Sequence, residues 1–200
     1  MTVTSPAEPG TTGAATADLR RSPLAARAAE LAEHTARSGV LLAEEPFLAQ
    51  VNLRAAPDVL DRLEAAVGIP VPRGVNEVRG TPERAVLGLG PDEWLIIAPD
   101  GAADGIVGGL VAAGAGSAVD VSANRTTVRL AGPRARDVLE QVCSLDLHPR
   151  AFAAGSCAQT LVGRTQAVLW QLTPEPGYRL LVRGSFAGYL ADLLIDALPR

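Results

Sequence analysis

The sequence predicts an α+β fold made of two related βαββα-type halves. Three observations carry that expectation. Apolar residues at helical spacing alternate with short β-type runs from about residue 45 onward. Shifting the chain by 76 positions brings Ala55, Pro57, Asp61, Leu63 and Glu64 onto Ala131, Pro133, Asp137, Leu139 and Glu140. A shift of 84 brings Trp94, Ile96 and Ile97 onto Tyr178, Leu180 and Leu181, and Leu110 and Ala113 onto identical residues. The order of elements repeats as well, which in an alanine- and leucine-rich chain weighs more than any single match.

Residues 1–19 are small, polar and rich in proline and glycine, a composition that predicts a disordered tail. The folded unit is expected over 20–198, with halves at about 45–122 and 123–198. Ser22 and Pro23 read as the N-cap and first-turn residue of a helix running to about Arg37. Its apolar stripe (Leu24, Ala28, Leu31, Thr35) is thin, so this helix is expected either to pack loosely or to dock onto something else. PFLAQVNLRA reads as a strand with Phe47, Ala49, Val51 and Leu53 on one face, and Pro57 starts a helix with Leu60, Leu63 and Val67 in its stripe. AVLGLG (85–90) and EWLIIAP (93–99) read as a close-turned strand pair. A helix over about 102–114 and a strand at SAVDVS (117–122) complete the first half. In the second, TTVRLA is a strand and Pro133 starts a helix with Ala135, Val138, Leu139 and Val142 on one face. Strands follow near 156–162, 166–172 and 178–183. Ser185 is expected to cap a last helix facing inward with Phe186, Tyr189, Leu190, Leu193, Leu194 and Ala197.

Composition excludes several functions. The chain has 200 residues and a formal net charge of −4, so it lacks the basic footprint of a nucleic-acid binder. All 18 basic residues are arginine, which removes Schiff-base and phosphate-loop lysines from consideration. The longest uncharged stretch, 105–119, is shorter than the ~20 residues of a membrane span and carries five glycines. With two cysteines and no basic segment leading into an apolar run at the N-terminus, a cytoplasmic protein is expected.

CSLDLHPRAFAAGSC (143–157) holds both cysteines and one of two histidines. A zinc site takes four ligands, commonly in close pairs. Cys143, Cys157 and His148 supply three without such spacing, and His34 lies on the distant N-terminal helix. Cys143 ends an apolar stripe and reads as a buried thiol acting as a small hydrophobe. His148-Pro149 reads as the turn between helix and strand. GxSxG is absent, and neither GLGPDE nor GAGSAV forms the GxGxxG turn of a dinucleotide site. Asp120 and Ser122, with Arg125 close behind, suit a polar ligand, but Asp, Ser and Asn124 more simply form a turn. GPDEW (90–94) reads as a turn, and Trp94 and Trp170 as core or interface anchors. No catalytic, cofactor-binding or metal-binding residue is assigned from these patterns.

RSPLA (21–25), PFLAQVNLR (46–54), LGPDEWLI (89–96), VDVSANRTTVRLAGPRARDVL (119–139) and above all CSLDLHPRAFAAGSCAQTLVG (143–163) resemble the gamma subunit of heterotetrameric sarcosine oxidase, over about residues 20–198. The resemblance implies an aminomethyltransferase-like folate-binding-domain architecture. It also implies membership of a cytoplasmic complex that oxidises sarcosine to glycine, yielding formaldehyde or methylenetetrahydrofolate and hydrogen peroxide. The partners it implies are the alpha, beta and delta subunits, with no nucleic acid or membrane. FAD, FMN, NAD and tetrahydrofolate are implied on other subunits and none on this chain, which is expected to be a non-catalytic subunit packed beside the folate-type domain of alpha. On that reading the cysteine segment is a structural signature, the N-terminal helix orders against a partner, and Arg125, Arg134 and Arg150 are available to partner carboxylates. A freestanding folate-binding aminomethyltransferase-like protein, and a scaffold module of another complex such as a related demethylase, are the alternatives.

Overall fold

The structure, a computed structural model, describes residues 19–114 and 116–199. The expected disordered tail therefore lies outside the described residues except Leu19, which stands in a turn. Helix α1 (Ala28–Ser38) and strand β1 (Leu41–Glu45) come first. They are followed by β2 (Ala49–Arg54), α2 (Leu60–Val67), β3 (Val78–Gly80), β4 (Ala85–Gly90), β5 (Glu93–Ala98), α3 (Ala103–Ala112) and β6 (Ser117–Asp120). The remainder is β7 (Arg125–Ala131), α4 (Ala135–Glu140), β8 (Cys157–Val162), β9 (Thr165–Thr173), β10 (Gly177–Arg183) and α5 (Ala187–Ala197).

Two five-stranded antiparallel sheets result, ordered β3-β4-β5-β2-β6 and β8-β9-β10-β7-β1. The sheets stack, and helices cover each outer face. Leu63 and Val67 of α2 and Ile106 and Leu110 of α3 pack on Val51, Leu53, Trp94 and Ile96 of the first sheet. Val138 and Leu139 of α4 and Leu190 and Leu194 of α5 pack on Val128, Leu130, Tyr178 and Leu180 of the second. Between the sheets, Leu87, Leu95 and Ile97 meet Cys157, Val168, Trp170 and Leu181. Being buried on both faces explains why WLIIA (94–98) is continuously apolar rather than alternating, since neither face meets water. The overlaid residues occupy matching layers: Trp94 and Tyr178 face the helices, Ile97 and Leu181 the sister sheet.

Each half runs β-α-β-β-β-α rather than β-α-β-β-α: VRG at 78–80 adds a short edge strand to the first half, the counterpart of β8 among the three strands read in the second. One strand, β1, precedes the first half's expected start at about residue 45. β1 pairs with β7, Leu41 opposite Ala131 and Glu45 opposite Thr127, so the N-terminal segment completes the second half's sheet as β6 completes the first.

The N-terminal helix departs furthest from expectation. A 3-10 turn over Ala25–Arg27 precedes α1, and Ser22 caps neither. The Ser22 hydroxyl instead donates to Glu44 of β1 at 2.5 Å, and Thr126 of β7 donates to the same carboxylate. Leu24 and Leu31 are 1% and 2% exposed within the second half's core. The helix thus docks on its own chain, held by two deep leucines that the alanine-dominated stripe understated. Gly39 ends it at φ 68°, a left-handed conformation that a Cβ would disfavour. Phe47 is not a strand residue: its φ of 60° places it in the turn before β2. Ser185 makes no cap either. A 3-10 turn over Gly184–Phe186 rotates the last helix so that Ala187 and Ala191 face inward, while Phe186 and Tyr189 are exposed.

Candidate functional site

The cysteine segment is a seam between the halves. Leu147 and Phe152 anchor it in the second half's core. Local bonds satisfy the backbone here: Asp146 Oδ1 accepts from the His148 amide, His148 Nδ1 from the Arg150 amide, and the His148 carbonyl from Ala151 and Phe152. Its far end crosses to the first half, where Val78 N–H donates to Gly155 O and Cys157 N–H to Asn76 O. Cys143 and Cys157 are both free and buried, but on opposite faces of the second sheet. Cys157 lies between the sheets with its Sγ 3.7 Å from the carbonyls of Glu77 and Gly88. Burial pushes its thiol up to about 12, which keeps it protonated and poorly nucleophilic. His34 sits on α1 beside Arg37. Among the described residues, no three His, Cys, Asp or Glu side chains converge as a metal site would require.

Asp120 accepts from the Ser122 amide (2.8 Å) and hydroxyl (2.5 Å), the turn geometry its residue types favour. Ser122 Oγ in turn accepts from Gln50 N–H, and the Gln50 amide side chain donates to Arg125 O. The VDVSANR turn is thereby pinned to β2, and it delivers Arg125 to the start of β7.

Arg125 opens onto a polar concavity of the second sheet. The pleat places Arg125, Arg183, Gln166, Gln159 and Leu161 on the face that is buried against the sister sheet further along. At this end the face is uncovered, and these residues line a hollow of about 310 Å³. Arg125 and Arg183 are directly opposite in the β7–β10 register. Burial, and then the neighbouring Arg183 charge, hold the Arg125 guanidinium below its usual value, against a weaker pull from Glu93. A second hollow of about 400 Å³ on the other side of Arg125 is lined by Arg20, Arg21, Phe47, Asp120 and Ser122. There Arg20 lies 4.1 Å over the Phe47 ring and pairs with Asp100 at 2.9 Å.

Of the three arginines singled out in the sequence, only Arg125 enters this cluster. Arg134 faces Asp137 at 3.7 Å on the exposed side of α4, and Arg150 is exposed on the seam loop. Arg183, Gln159, Gln166 and Leu161 were not foreseen; only cross-strand register, a non-local property, unites them. Trp94 and Trp170 are both buried: the Trp94 indole donates to Pro72 O, and Trp170 lies under the Arg179 guanidinium. No helix among the described residues is long and apolar enough to cross a membrane.

Comparison with known proteins places this arrangement. The stacked-sheet fold matches the glycine cleavage system aminomethyltransferase T from Bartonella henselae with a TM-score of 0.61. That likeness covers 82% of this chain and 48% of that protein at 15% identity, and it establishes the fold alone. A chain of the heterotetrameric sarcosine oxidase from Corynebacterium sp. U-96, solved in complex with pyrrole 2-carboxylate, matches with a TM-score of 0.81 and 38% identity. Here 90% of this chain and 95% of that one are covered. Sarcosine oxidase subunit gamma from Arthrobacter sp. is 41% identical over 188 residues, 91% of each protein. Its counterpart from Corynebacterium sp. (strain P-1) is 40% identical over the same share. The model of the sarcosine oxidase gamma subunit family matches residues 53–199, which take in β3 to β10, the seam and the Arg125 hollow. The chain belongs to the sarcosine oxidase gamma subunit family.

Proposed function

We propose that this chain serves as the gamma subunit of a heterotetrameric sarcosine oxidase and contributes by completing the assembly rather than by hosting the reaction. The observation that carries this reading is the near end-to-end match, 90% of one chain and 95% of the other, to a chain of such an enzyme. The complex oxidises sarcosine to glycine, with formaldehyde or methylenetetrahydrofolate and hydrogen peroxide as the other products. FAD, FMN, NAD and tetrahydrofolate belong to the other subunits, and alpha, beta and delta are the partners, all in the cytoplasm. The placement we favour is beside the folate-type domain of alpha, because this chain shares the aminomethyltransferase fold. The matching strand order supports descent of the two halves from one β-α-β-β-β-α unit.

The chemistry on this chain supports a structural role. Asp120 and Ser122 satisfy each other, the buried Cys157 thiol stays protonated, and the histidines lie apart on α1 and the seam loop. The purified chain is expected to show no flavin absorbance and no sarcosine-dependent oxygen uptake, and to raise the melting temperature of the complex when added to the other subunits. Bound flavin, or peroxide formed from sarcosine by the lone chain, would overturn the non-catalytic assignment.

A further inference from the structure

We infer that the Arg125–Arg183 hollow receives a carboxylate side chain from a partner subunit and so marks the surface through which this chain enters its assembly. The inference rests on the gamma-subunit reading and adds a location and a chemistry to it. The chain carries a net charge of −4, yet among the described residues Arg125 and Arg183 are the only charged side chains lining this hollow. Like charges directly opposite on neighbouring strands repel, and two guanidiniums held so are stabilised by a shared anion. Among the described residues no carboxylate forms an ion pair with either. Glu93, which attracts Arg125 from a distance, is already bound by Arg54 at 2.9 Å and by Asn52 at 2.8 Å. In the adjoining hollow Asp120 is engaged by Ser122 and Arg20 by Asp100, which leaves Arg21 as a further cation on that side.

The surroundings favour a protein partner over a small ligand. A small-molecule site encloses most of its ligand, whereas Leu161, in the wall of this hollow, is 52% exposed. An exposed leucine beside arginines and glutamines on an open sheet face has the make-up of an interface, with an apolar contact and charged anchors.

The test is titration of the chain into an assembly of the other subunits at low and high salt, with Arg125→Gln, Arg183→Gln and Leu161→Glu as variants and Arg150→Gln as control. Wild-type binding should weaken with salt. Each arginine variant should bind about tenfold or more weakly at low salt, with a flatter salt dependence, while Arg150→Gln stays within about twofold. Leu161→Glu, which supplies the arginine pair with a carboxylate from within, should lose affinity while the lone chain melts no lower than wild type. That variant decides the matter if an arginine variant fails to fold. Variants binding like wild type would refute the inference and leave the gamma-subunit reading standing; failure of the wild-type chain to bind at all would refute both. Succinate is the small-anion probe. If it stabilised the lone chain while subunit binding ignored the substitutions, the hollow would be a ligand site and the inference wrong.

Discussion

Arg179 offers the most exacting test of how the two halves are held together. It is 7% exposed, and its guanidinium donates to the Glu45 carboxylate at 2.5 Å and to the Pro82 carbonyl, 5.1 Å over the Trp170 ring. One side chain on β10 thereby ties the N-terminal strand, a first-half loop and the core between the sheets. Truncation in Arg179→Ala removes a charge-assisted hydrogen bond worth about 1.5–3 kcal/mol and a cation–π contact of about 0.5–1 kcal/mol. It also leaves the Pro82 carbonyl short of a donor. Two effects soften the loss. Glu45 keeps 30% side-chain exposure and can be rehydrated, and Arg129, opposite Arg179 in the register, remains to attract it. The net cost is about 3 kcal/mol, or a melting temperature lower by roughly 6–12 °C at 2–4 °C per kcal/mol for a chain of this size. Urea titration and calorimetry of the full chain measure it. Arg179→Lys should recover less than half, because an ammonium cannot fork between a carboxylate and a carbonyl. A double-mutant cycle with Glu45→Gln should give a coupling of about 1–2 kcal/mol. A cost below about 1 kcal/mol would refute the claim that this side chain fastens the halves, and no coupling would refute the claim that it ties down the N-terminal strand.

Cys157 should resist alkylation in the native chain near pH 8 while labelling readily in urea, as mass spectrometry would report. Its folded pKa lies above the unfolded value of about 8.5, so its contribution to stability is full below that value and declines as pH rises toward 12, by about 1.4 kcal/mol per unit. Cys157→Ala should flatten that alkaline limb. Changing both Cys143 and Cys157 to alanine should leave oxidase turnover in the assembled complex within about threefold while lowering stability by roughly 1–3 kcal/mol; a tenfold loss of turnover with unchanged melting would contradict a structural role. Leu31→Ala should cost about 2–4 kcal/mol, and amides of α1 should be protected from hydrogen exchange in the free chain as well as in the complex. Gly80→Ala should destabilise by about 2 kcal/mol or more, since φ is 114° and a Cβ would lie 2.3 Å from Arg84 O; denaturant midpoints check it.

Elements whose partners are near in sequence were legible. The β4–β5 pair, α2 with Leu60, Leu63 and Val67, and α4 with Ala135, Val138 and Leu139 follow from spacing and turn residues alone. β1 was missed because LLAEE offers neither alternation nor a turn signal. Its glutamates are partly buried only because Ser22, Thr126 and Arg179 come to meet them from distant parts of the chain. Ser22 and Ser185 have the chemistry of caps, but 3-10 turns intervene before both helices, and the second turn rotates Phe186 and Tyr189 outward. The site was half visible. Arg125 stood out within VDVSANR, whereas Arg183 became its neighbour only through β-register across more than fifty residues of intervening chain.

The placement of β1 also bears on how the protein is made. Leu41–Glu45 leaves the ribosome early, yet its pairing partner, Arg125–Ala131, is translated on the order of 85 residues later, a wait of about 4–20 s at ordinary elongation rates. The first sheet, whose strands lie between Ala49 and Asp120, has all its parts before that partner emerges. Nascent chains should therefore carry a finished first half trailing an unpaired strand with exposed Leu42, which is vulnerable to wrong pairing until the C-terminal half folds back to enclose it. Cutting the gene between residues 122 and 123 would then yield fragments that each lack something: one bears a strand with no sheet, the other a sheet with a bare edge. That strand and that edge would be paired only if the fragments found each other.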